Sequence, residues 1–278
     1  RDLHSFPTRR SSDLFPASFL IGKIIERFSI VLLQVDIWPK LNIYYMKIGL
    51  TKIFIDEEIK RGIVHILDSG RFIKGPYLTE FEENFAKFIG VKHAIAVNSG
   101  SSALLLSLIS LKITNTQVMA PSHTFIGTIE SSLFLNNPIL FHEIERETLL
   151  LDVDTAPQCD CVIPVHLYGN AVDIMKLRQK SKYIIEDACQ AHGTEFNGKK
   201  VGSLGDLGCF SFYPSKGITV AGDGGMVTTN DPNIAELIRQ LRDHGRTDHF
   251  DSPIVGFNCR MGERSEERRV GKECRSRW

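Results

Sequence analysis

The stretch Tyr183–Gly225 reads YIIEDACQAHGTEFNGKKVGSLGDLGCFSFYPSKGITVAGDGG. Its first apolar run, Tyr183–Ile185, ends in the acidic pair Glu186–Asp187. A second apolar run, Leu207–Tyr213, is followed by a single lysine, Lys216, and then by a glycine-rich turn. A carboxylate after one buried strand and an amine after another predict a Schiff-base cofactor site. The amine forms the imine, and the carboxylate holds a pyridine nitrogen protonated.

The composition is that of an ordinary soluble protein. The chain has 278 residues, of which 42% are hydrophobic and 24% are charged, with a formal net charge of zero. This balance gives no electrostatic attraction for nucleic acid or for an anionic membrane, so neither is expected as a partner. The six cysteines are scattered without a CxxC pair, which favours a reducing, cytoplasmic setting. Cys159 and Cys161 are too few ligands for a closed zinc site, so no metal is expected.

The two ends of the chain differ from its middle. Residues 1–14 and 263–278 lack helical or strand periodicity and are rich in arginine and serine. Asp2–Leu14 can be encoded by a DNA string whose reverse complement, in another frame, encodes Arg264–Ser276. That string resembles a common short-read sequencing adapter. We therefore expect both ends to be library artefact and foreign to the fold.

Residues 15–45 are also expected to be foreign to the fold. They are apolar, but charged residues such as Lys23 and Glu26 interrupt any stretch long enough for a membrane helix. We expect translated upstream sequence before a start at Met46, with a secretory signal peptide as the alternative. The native coding segment is then 46–262, cut off at its carboxyl end.

A small polar loop follows the first predicted strand. The strand Ala94–Val97 leads through Asn98–Ser102 into a helix, Ala103–Leu111. Free N–H groups and the helix dipole make such a helix N-terminus a binding site for an anion. The alternative is that Ser99 or Ser101 only caps the helix.

Strand-like runs alternate with helical stretches over the rest of the chain. Further strands are predicted at 117–120, 139–141, 161–165 and 183–185, and helices at 56–67, 77–89, 126–135 and 172–180. This alternation of apolar strands and helices predicts an α/β fold with a mostly parallel, doubly wound sheet. Ligands of such sheets bind at the carboxyl ends of the strands, where the polar loops fall. Because no GxGxxG follows the first strand and no GxxxxGK[ST] occurs, dinucleotide and P-loop interpretations are weak.

Eight short motifs follow one another along the chain: GPYLTEFEENFAKFIG, VNSGSSAL, PSHTF, VHLYG, EDACQAHG, FSFYPSKGITVAGDGGMVTTND, LRDHG and GFNCRM. In these motifs, from about Ile63 to Met261, the chain resembles the DegT/DnrJ/EryC1/StrS family of sugar aminotransferases, which are pyridoxal-phosphate enzymes of fold type I. The resemblance implies the large domain of that fold, with a C-terminal small domain that is largely missing. We therefore expect this polypeptide to fold poorly or to be inactive by itself.

The resemblance implies a role for each residue around the cofactor ring. Lys216 forms the Schiff base with pyridoxal 5'-phosphate and later shuttles a proton. Asp187 pairs with the pyridine nitrogen, although Glu186 is a competing acid. Gln190 hydrogen-bonds the phenolic oxygen, and Phe125 stacks on the ring, with an ordinary core phenylalanine as the alternative.

The resemblance also implies a site for the cofactor phosphate. Gly100, Ser101 and Ser211 hold it, the first two at the helix N-terminus described above. Asn258 reaches across a subunit interface to the partner's cofactor phosphate, so a homodimer is expected for the intact protein. His166 and His192 lie near the site, and structural hydrogen bonding is the expected role of both.

The implied reaction moves an amino group, from glutamate as the expected donor, to a keto sugar attached to a nucleotide. Some related enzymes carry histidine in place of the lysine and dehydrate sugars, so Lys216 favours amino transfer. A sugar dehydratase is one alternative, and a non-catalytic regulatory protein that keeps the fold for binding is another.

Overall fold

A computed structural model gives the structure of Ile53, of residues 55–248 and of residues 250–263. The segments expected to be artefact or upstream sequence, 1–14 and 15–45, lie outside the described residues, as does the tail from Arg264 onward.

A seven-stranded sheet with the order β1-β9-β8-β5-β4-β2-β3 forms the centre of the fold. The strands are His93–Val97 (β1), Val118–Pro121 (β2), Ile139–His142 (β3), Cys159–Val162 (β4), Ser181–Asp187 (β5), Leu207–Ser211 (β8) and Gly225–Thr229 (β9); a separate ribbon pairs Glu195–Phe196 (β6) with Lys199–Lys200 (β7). Strand β9 is antiparallel to both of its neighbours, and the other pairs are parallel. The predicted mostly parallel α/β fold is confirmed.

Six α-helices are defined among the described residues, besides a short 3₁₀ helix at Leu167–Gly169: Glu57–Ser69 (α1), Pro76–Ile89 (α2), Gly100–Ser110 (α3), Gly127–Phe134 (α4), Ile174–Leu177 (α5) and Pro232–Leu241 (α6). Local sequence sets several of their ends. Asp56 caps α1 by accepting from the Ile59 amide at 2.8 Å, and Asp231 caps α6 in the same way. Gly70 and Gly90 end α1 and α2 in the left-handed conformation, as expected of C-terminal glycines.

Apolar side chains cover both faces of the sheet. Ile184 and Ile185 are adjacent on β5 and fully buried, yet they join different clusters because successive strand residues point to opposite faces. Helices α3 and α6 pack on the face of Ile185. Helix α2 packs on the opposite face with Phe81 and Phe85, where burial of each ring stabilises the fold by roughly 2 kcal/mol. The sheet is therefore doubly wound.

Two predicted elements are shorter in the structure. The strand predicted at 161–165 ends at Val162, because Pro164 has no N–H for the ladder; Val165 keeps only an isolated bridge to Asp187. The helix predicted at 172–180 is α-helical only over Ile174–Leu177. Its last residues tighten into a turn, in which the Lys180 amide donates to the Leu177 carbonyl, before β5 begins.

The parallel direction of six strands brings their carboxyl ends to one edge of the sheet. Strands β8 and β9 are consecutive and antiparallel, so residues 212–224 connect them at that same edge. The loops that carry Gly100, Phe125, Asp187 and Lys216 all begin there. Among the described residues, no helix combines the length and apolar character needed to cross a membrane.

Candidate active site

Asp187 is the last residue of β5, and its carboxyl group is held by two donors. The Thr128 hydroxyl donates to Oδ2 at 2.8 Å, and the Cys189 amide donates to Oδ1 at 3.2 Å. Asp187 is only 5% exposed. A carboxylate has about four acceptor positions on its two oxygens, so this one retains capacity for another N–H donor.

Glu186, the neighbouring acid, has a different environment. Its side chain is fully buried and accepts amide hydrogens from Gly202, Leu204 and Gly205 at 2.6–2.8 Å. His166 contacts the same carboxyl through Nε2 at 2.9 Å. Since the His166 Nδ1 accepts from the Val172 amide, the ring proton is on Nε2 and is donated to Glu186.

The two acids therefore have different roles, because the side chains of neighbouring strand residues point to opposite faces of the sheet. Glu186 organises the loop before β8, and all of its acceptor capacity is used inside the protein. Asp187 faces the edge of the sheet. His166 has the structural hydrogen-bonding role that the sequence predicted.

The N-terminus of α3 has both features considered in the sequence analysis, a capping serine and free amides that can bind an anion. Ser99 caps the helix, since its hydroxyl accepts from the Ser102 amide at 3.1 Å. The amides of Gly100 and Ser101 have no acceptor among the described residues, so two donors remain for an anion.

Close packing brings Ser211 to this helix end. A Cβ atom on Gly100 would lie 2.8 Å from the Cys189 sulfur and 2.9 Å from the Ser211 Cβ. The close approach of Cys189 and Ser211 thus leaves no room for a side chain larger than that of glycine at position 100. Ser101 also lies beside α4, because its carbonyl accepts from the Ser131 hydroxyl at 3.0 Å. The structure therefore brings Gly100, Ser101 and Ser211 together.

Lys216 lies half-buried in the β8–β9 connection. Its amide donates to the Tyr213 carbonyl at 2.8 Å in a tight turn. The two ends of the β8–β9 connection are held together by the Phe212 amide, which donates to the Gly224 carbonyl at 2.8 Å. Lys216 thus lies in a connection of thirteen residues, 212–224, whose two ends are joined by this hydrogen bond at the edge that also holds Asp187.

His192 packs beside this turn rather than in a hydrogen-bonded network. Its ring centroid lies 5.6 Å from that of Phe210 and 5.7 Å from that of Phe212, and neither ring nitrogen has a hydrogen-bond partner among the described residues. Burial, and to a lesser degree the charge of Lys216, lowers the pKa of His192 to about 4. The Ser211 backbone lies close enough to the ring to oppose this lowering of the pKa, although neither nitrogen makes a well-formed hydrogen bond within the described part of the chain, so the expected hydrogen bonding of His192 remains a prediction.

Gln190 and Phe125 lie on loops at the same edge. The Gln190 Oε1 accepts from the Tyr168 amide at 3.2 Å, which leaves its NH₂ group free to donate elsewhere. Tyr168 has φ 56°, a left-handed conformation that costs a non-glycine residue energy. The Phe125 ring is 69% exposed, so the core alternative for this residue is wrong.

Asn258 is exposed on a segment that lies beside the α3 loop. The Asn98 amide donates to the Cys259 carbonyl at 2.9 Å, which ties the segment to the start of that loop. Its expected contact with a partner subunit remains a prediction.

Three further residues of the site were not singled out in the sequence, although Tyr168 and Cys189 lie within the motifs VHLYG and EDACQAHG. Thr128 contacts Asp187 from α4, the Tyr168 amide orients Gln190, and Cys189 lies against Gly100. Burial raises the pKa of the Cys189 thiol, so it remains a neutral packing group. Each of these contacts joins loops that are distant in sequence, and no local pattern encodes it.

The residues at this edge fit pyridoxal phosphate. The two unused amides at the N-terminus of α3 suit a phosphate group, and the spare acceptor capacity of Asp187 suits a protonated ring nitrogen. The amine of Lys216 is the group needed for a covalent link.

Comparison with known proteins gave consistent matches. The sequence profile of the DegT/DnrJ/EryC1/StrS aminotransferase family matches residues 54–265. A UDP-N-acetyl-3-dehydro-alpha-D-glucosamine 3-aminotransferase from Acidithiobacillus ferrooxidans is 39% identical over 74% of this chain. A dTDP-3-amino-3,4,6-trideoxy-alpha-D-glucose transaminase from Streptomyces venezuelae is 38% identical over 74% of it. The chain spans 59% and 57% of the lengths of these two relatives.

Solved structures show the same fold. DesV from S. venezuelae, determined in complex with a ketimine intermediate, aligns with a TM-score of 0.72 and 36% identity, covering 75% of this chain and 59% of DesV. NtdA from Bacillus subtilis, determined with bound cofactor PMP, aligns with a TM-score of 0.69 and 29% identity, covering 76% of this chain and 50% of NtdA. The fold is that of the fold type I aminotransferases.

Proposed function

The chain belongs to the DegT/DnrJ/EryC1/StrS aminotransferase family, and we propose that the intact protein is a pyridoxal-phosphate-dependent sugar aminotransferase. It transfers an amino group from glutamate to a keto sugar attached to a nucleotide. The two relatives named above act on UDP- and dTDP-linked sugars, and they support this substrate class.

The single observation that carries the proposal is the placement of Lys216. The lysine lies in the β8–β9 connection at the edge that also presents Asp187 and the free amides of Gly100 and Ser101. An amine, a carboxylate and an anion site at one sheet edge are the three groups that pyridoxal phosphate requires.

When bound, pyridoxal phosphate supplies an electron sink that stabilises negative charge on the carbon attached to the nitrogen. Lys216 Nζ anchors the cofactor covalently and then moves a proton to and from that carbon. Asp187 keeps the ring nitrogen protonated through its free acceptor positions. The amides of Gly100 and Ser101 hold the phosphate, with Ser211 beside them.

The remaining parts of the proposal concern the ring and the assembly. Phe125 stacks on the cofactor ring with its exposed face, and Gln190 donates its free NH₂ to the phenolic oxygen. Asn258 supplies a phosphate contact to the partner subunit of a homodimer. The cytoplasm is the proposed location, supported by the scattered free thiols of the described cysteines.

Borohydride trapping tests the covalent role of Lys216. The intact protein is incubated with pyridoxal phosphate, reduced with borohydride and digested for peptide mapping. We expect the phosphopyridoxyl adduct on Lys216 in the wild type, and none in Lys216→Ala, whose transamination falls at least about a thousandfold. Lys87→Ala changes an exposed lysine on α2 and serves as the matched control, in which adduct and activity are retained.

A dehydration assay on the same variants, together with the trapping result, separates the alternatives. Sugar dehydration that survives Lys216→Ala would identify a dehydratase. A folded wild-type protein that gives no adduct would instead identify a non-catalytic binding module and overturn the proposal.

A further inference from the structure

Thr128 lies in the first turn of α4, 59 residues from Asp187 in sequence, and is only 2% exposed. Its hydroxyl is 2.8 Å from Asp187 Oδ2 and 2.7 Å from the Thr124 hydroxyl. The Thr128 amide donates to the Phe125 carbonyl at 3.0 Å. The turn that carries the exposed Phe125 ring therefore also carries the hydroxyl that contacts the carboxyl group.

The direction of these hydrogen bonds follows from the number of protons. A threonine hydroxyl has one proton and two acceptor lone pairs. The proton of Thr128 is donated to Asp187, so the hydrogen bond between the two threonines must use the Thr124 proton. The chain of donors thus runs from Thr124 to Thr128 to Asp187, and successive hydrogen bonds in such a chain strengthen one another.

The two donors on Asp187 approach from different elements. The Cys189 amide belongs to the loop after β5 and holds Oδ1, whereas Thr128 belongs to α4 and holds Oδ2. The Cys189 amide follows directly from the local backbone and constrains one oxygen only. The Cys189 thiol, on the same loop, also lies against the carboxyl group. The Thr128 hydroxyl is the donor that reaches Oδ2 from another element, and it fixes the carboxyl plane from that side.

We propose that Thr128 is a positioning residue that, supported by Thr124, fixes the plane of the Asp187 carboxyl group so that a free acceptor position faces the ring nitrogen of the cofactor. The inference rests on the proposed function, because it concerns the same cofactor. Thr128 acts through Asp187 and does not itself touch the ring.

Loss of the hydroxyl frees the carboxyl group to rotate because, of the described donors, only the Cys189 amide on Oδ1 then holds it through a well-formed hydrogen bond. Rotation moves the free acceptor position out of line with the ring nitrogen. The ring nitrogen then shifts toward its unprotonated form, and cofactor binding weakens.

The test measures the ring nitrogen directly. The intact protein is loaded with pyridoxal phosphate labelled with nitrogen-15 in the ring, and the chemical shift of that nitrogen is recorded together with the cofactor Kd. Thr128→Val keeps the shape of the side chain and removes the hydroxyl, whereas Thr128→Ser keeps the hydroxyl. We expect the resonance of Thr128→Val to move toward the unprotonated position and its Kd to rise about tenfold, as for loss of a hydrogen bond to a charged group. Thr128→Ser should retain the wild-type resonance.

A second variant makes the test independent of whether Thr128→Val folds. Thr124→Val removes only the outer donor, so its resonance should move in the same direction by a smaller amount. An unchanged resonance in the folded Thr128→Val protein, or in Thr124→Val if Thr128→Val does not fold, would overturn the inference. A wild-type protein that binds no labelled cofactor would overturn the proposed function. An unchanged resonance in a variant that does bind the cofactor would overturn only the role of Thr128, so the two failures are distinguishable.

Discussion

At the residue scale, the site depends on a difference between two adjacent acids. Glu186 is enclosed by three amides and His166, whereas Asp187 keeps acceptor capacity at the edge of the sheet. Both residues are buried, so burial does not tell which of them can bind a ligand. Their hydrogen bonds decide this, because a carboxyl group whose acceptor positions are all used inside the fold cannot bind a ligand.

Gly100 offers a prediction at this scale. Gly100→Ala places a Cβ 2.8 Å from the Cys189 sulfur and 2.9 Å from the Ser211 Cβ, closer than such atoms can approach. The start of α3 must therefore move away from Ser211. We expect the free energy of unfolding to fall by about 1–3 kcal/mol and cofactor Kd to rise at least about tenfold, measured by urea unfolding and by titration of pyridoxal phosphate.

Gly262→Ala is the matched control for this change. Its added Cβ would meet nothing closer than the Phe72 carbonyl oxygen at 3.7 Å, an ordinary van der Waals contact. The control should bind the cofactor like the wild type. Wild-type affinity in Gly100→Ala would show that the packing of α3 on Ser211 is unimportant for the phosphate site.

At the scale of elements, strand ends and the loops that follow them hold the site. The β8–β9 connection presents Lys216, the end of β5 presents Asp187 and the loop after it presents Gln190, and the start of α3 presents its free amides. The fully buried Glu186 holds the loop that precedes β8, and thereby fixes the strand from which the Lys216 connection begins.

Glu186 therefore provides a prediction at this scale. Glu186→Ala leaves three buried amides and the His166 Nε2 without an acceptor, and we expect it to lower the free energy of unfolding by about 3–5 kcal/mol. Glu186→Gln retains one acceptor oxygen, so its free energy of unfolding should fall by less, about 2–4 kcal/mol. Urea unfolding followed by circular dichroism measures both.

Glu195→Gln is the surface comparison for these variants. Glu195 is exposed and pairs with Lys200 at 2.9 Å, so its loss should cost less than about 1 kcal/mol. A loss that small in Glu186→Ala would contradict the assigned role of Glu186 in the loop.

At the scale of the whole molecule, one property of the sheet assembles the site. Six strands run in the same direction, so loops from distant parts of the chain meet at their carboxyl ends. The described fold extends to Glu263, whose carboxyl accepts from the Gly75 and Tyr77 amides at 2.9 and 2.7 Å. That contact caps α2 and joins the last described residue to the first part of the domain.

The proposed homodimer leads to a prediction at this scale. Lys216→Ala and Asn258→Ala subunits should each be inactive, or nearly so, as homodimers. In a mixed dimer, one site combines Lys216 of the Asn258→Ala subunit with Asn258 of the Lys216→Ala subunit, whereas the other site lacks both residues. Random mixing should therefore restore roughly a quarter of the wild-type activity per site. Subunits are mixed by unfolding and refolding together, and transamination is measured.

Mixtures of either variant with itself, treated in the same way, are the controls and should gain no activity. If mixed subunits that form dimers also gain none, Asn258 does not act on the partner's site.

The sequence by itself determined the fold class and the order of the elements. Apolar strands alternating with helices predicted the mostly parallel doubly wound sheet, and the helices predicted at 56–67 and 77–89 are observed at Glu57–Ser69 and Pro76–Ile89. These features depend on residues close together in the chain. Most predicted boundaries differ from the observed ones by only a few residues, for physical reasons such as the missing N–H of Pro164.

Tertiary structure alone decided which polar groups meet. The contact of Thr128 with Asp187, the four hydrogen bonds of Glu186 and the approach of Ser211 to Gly100 join separate elements. The packing of His192 against Phe210 and Phe212 has the same origin. The physical reason is that hydrogen bonds and close contacts depend on distances in space, which the packing of helices and strands sets and which no local sequence pattern records.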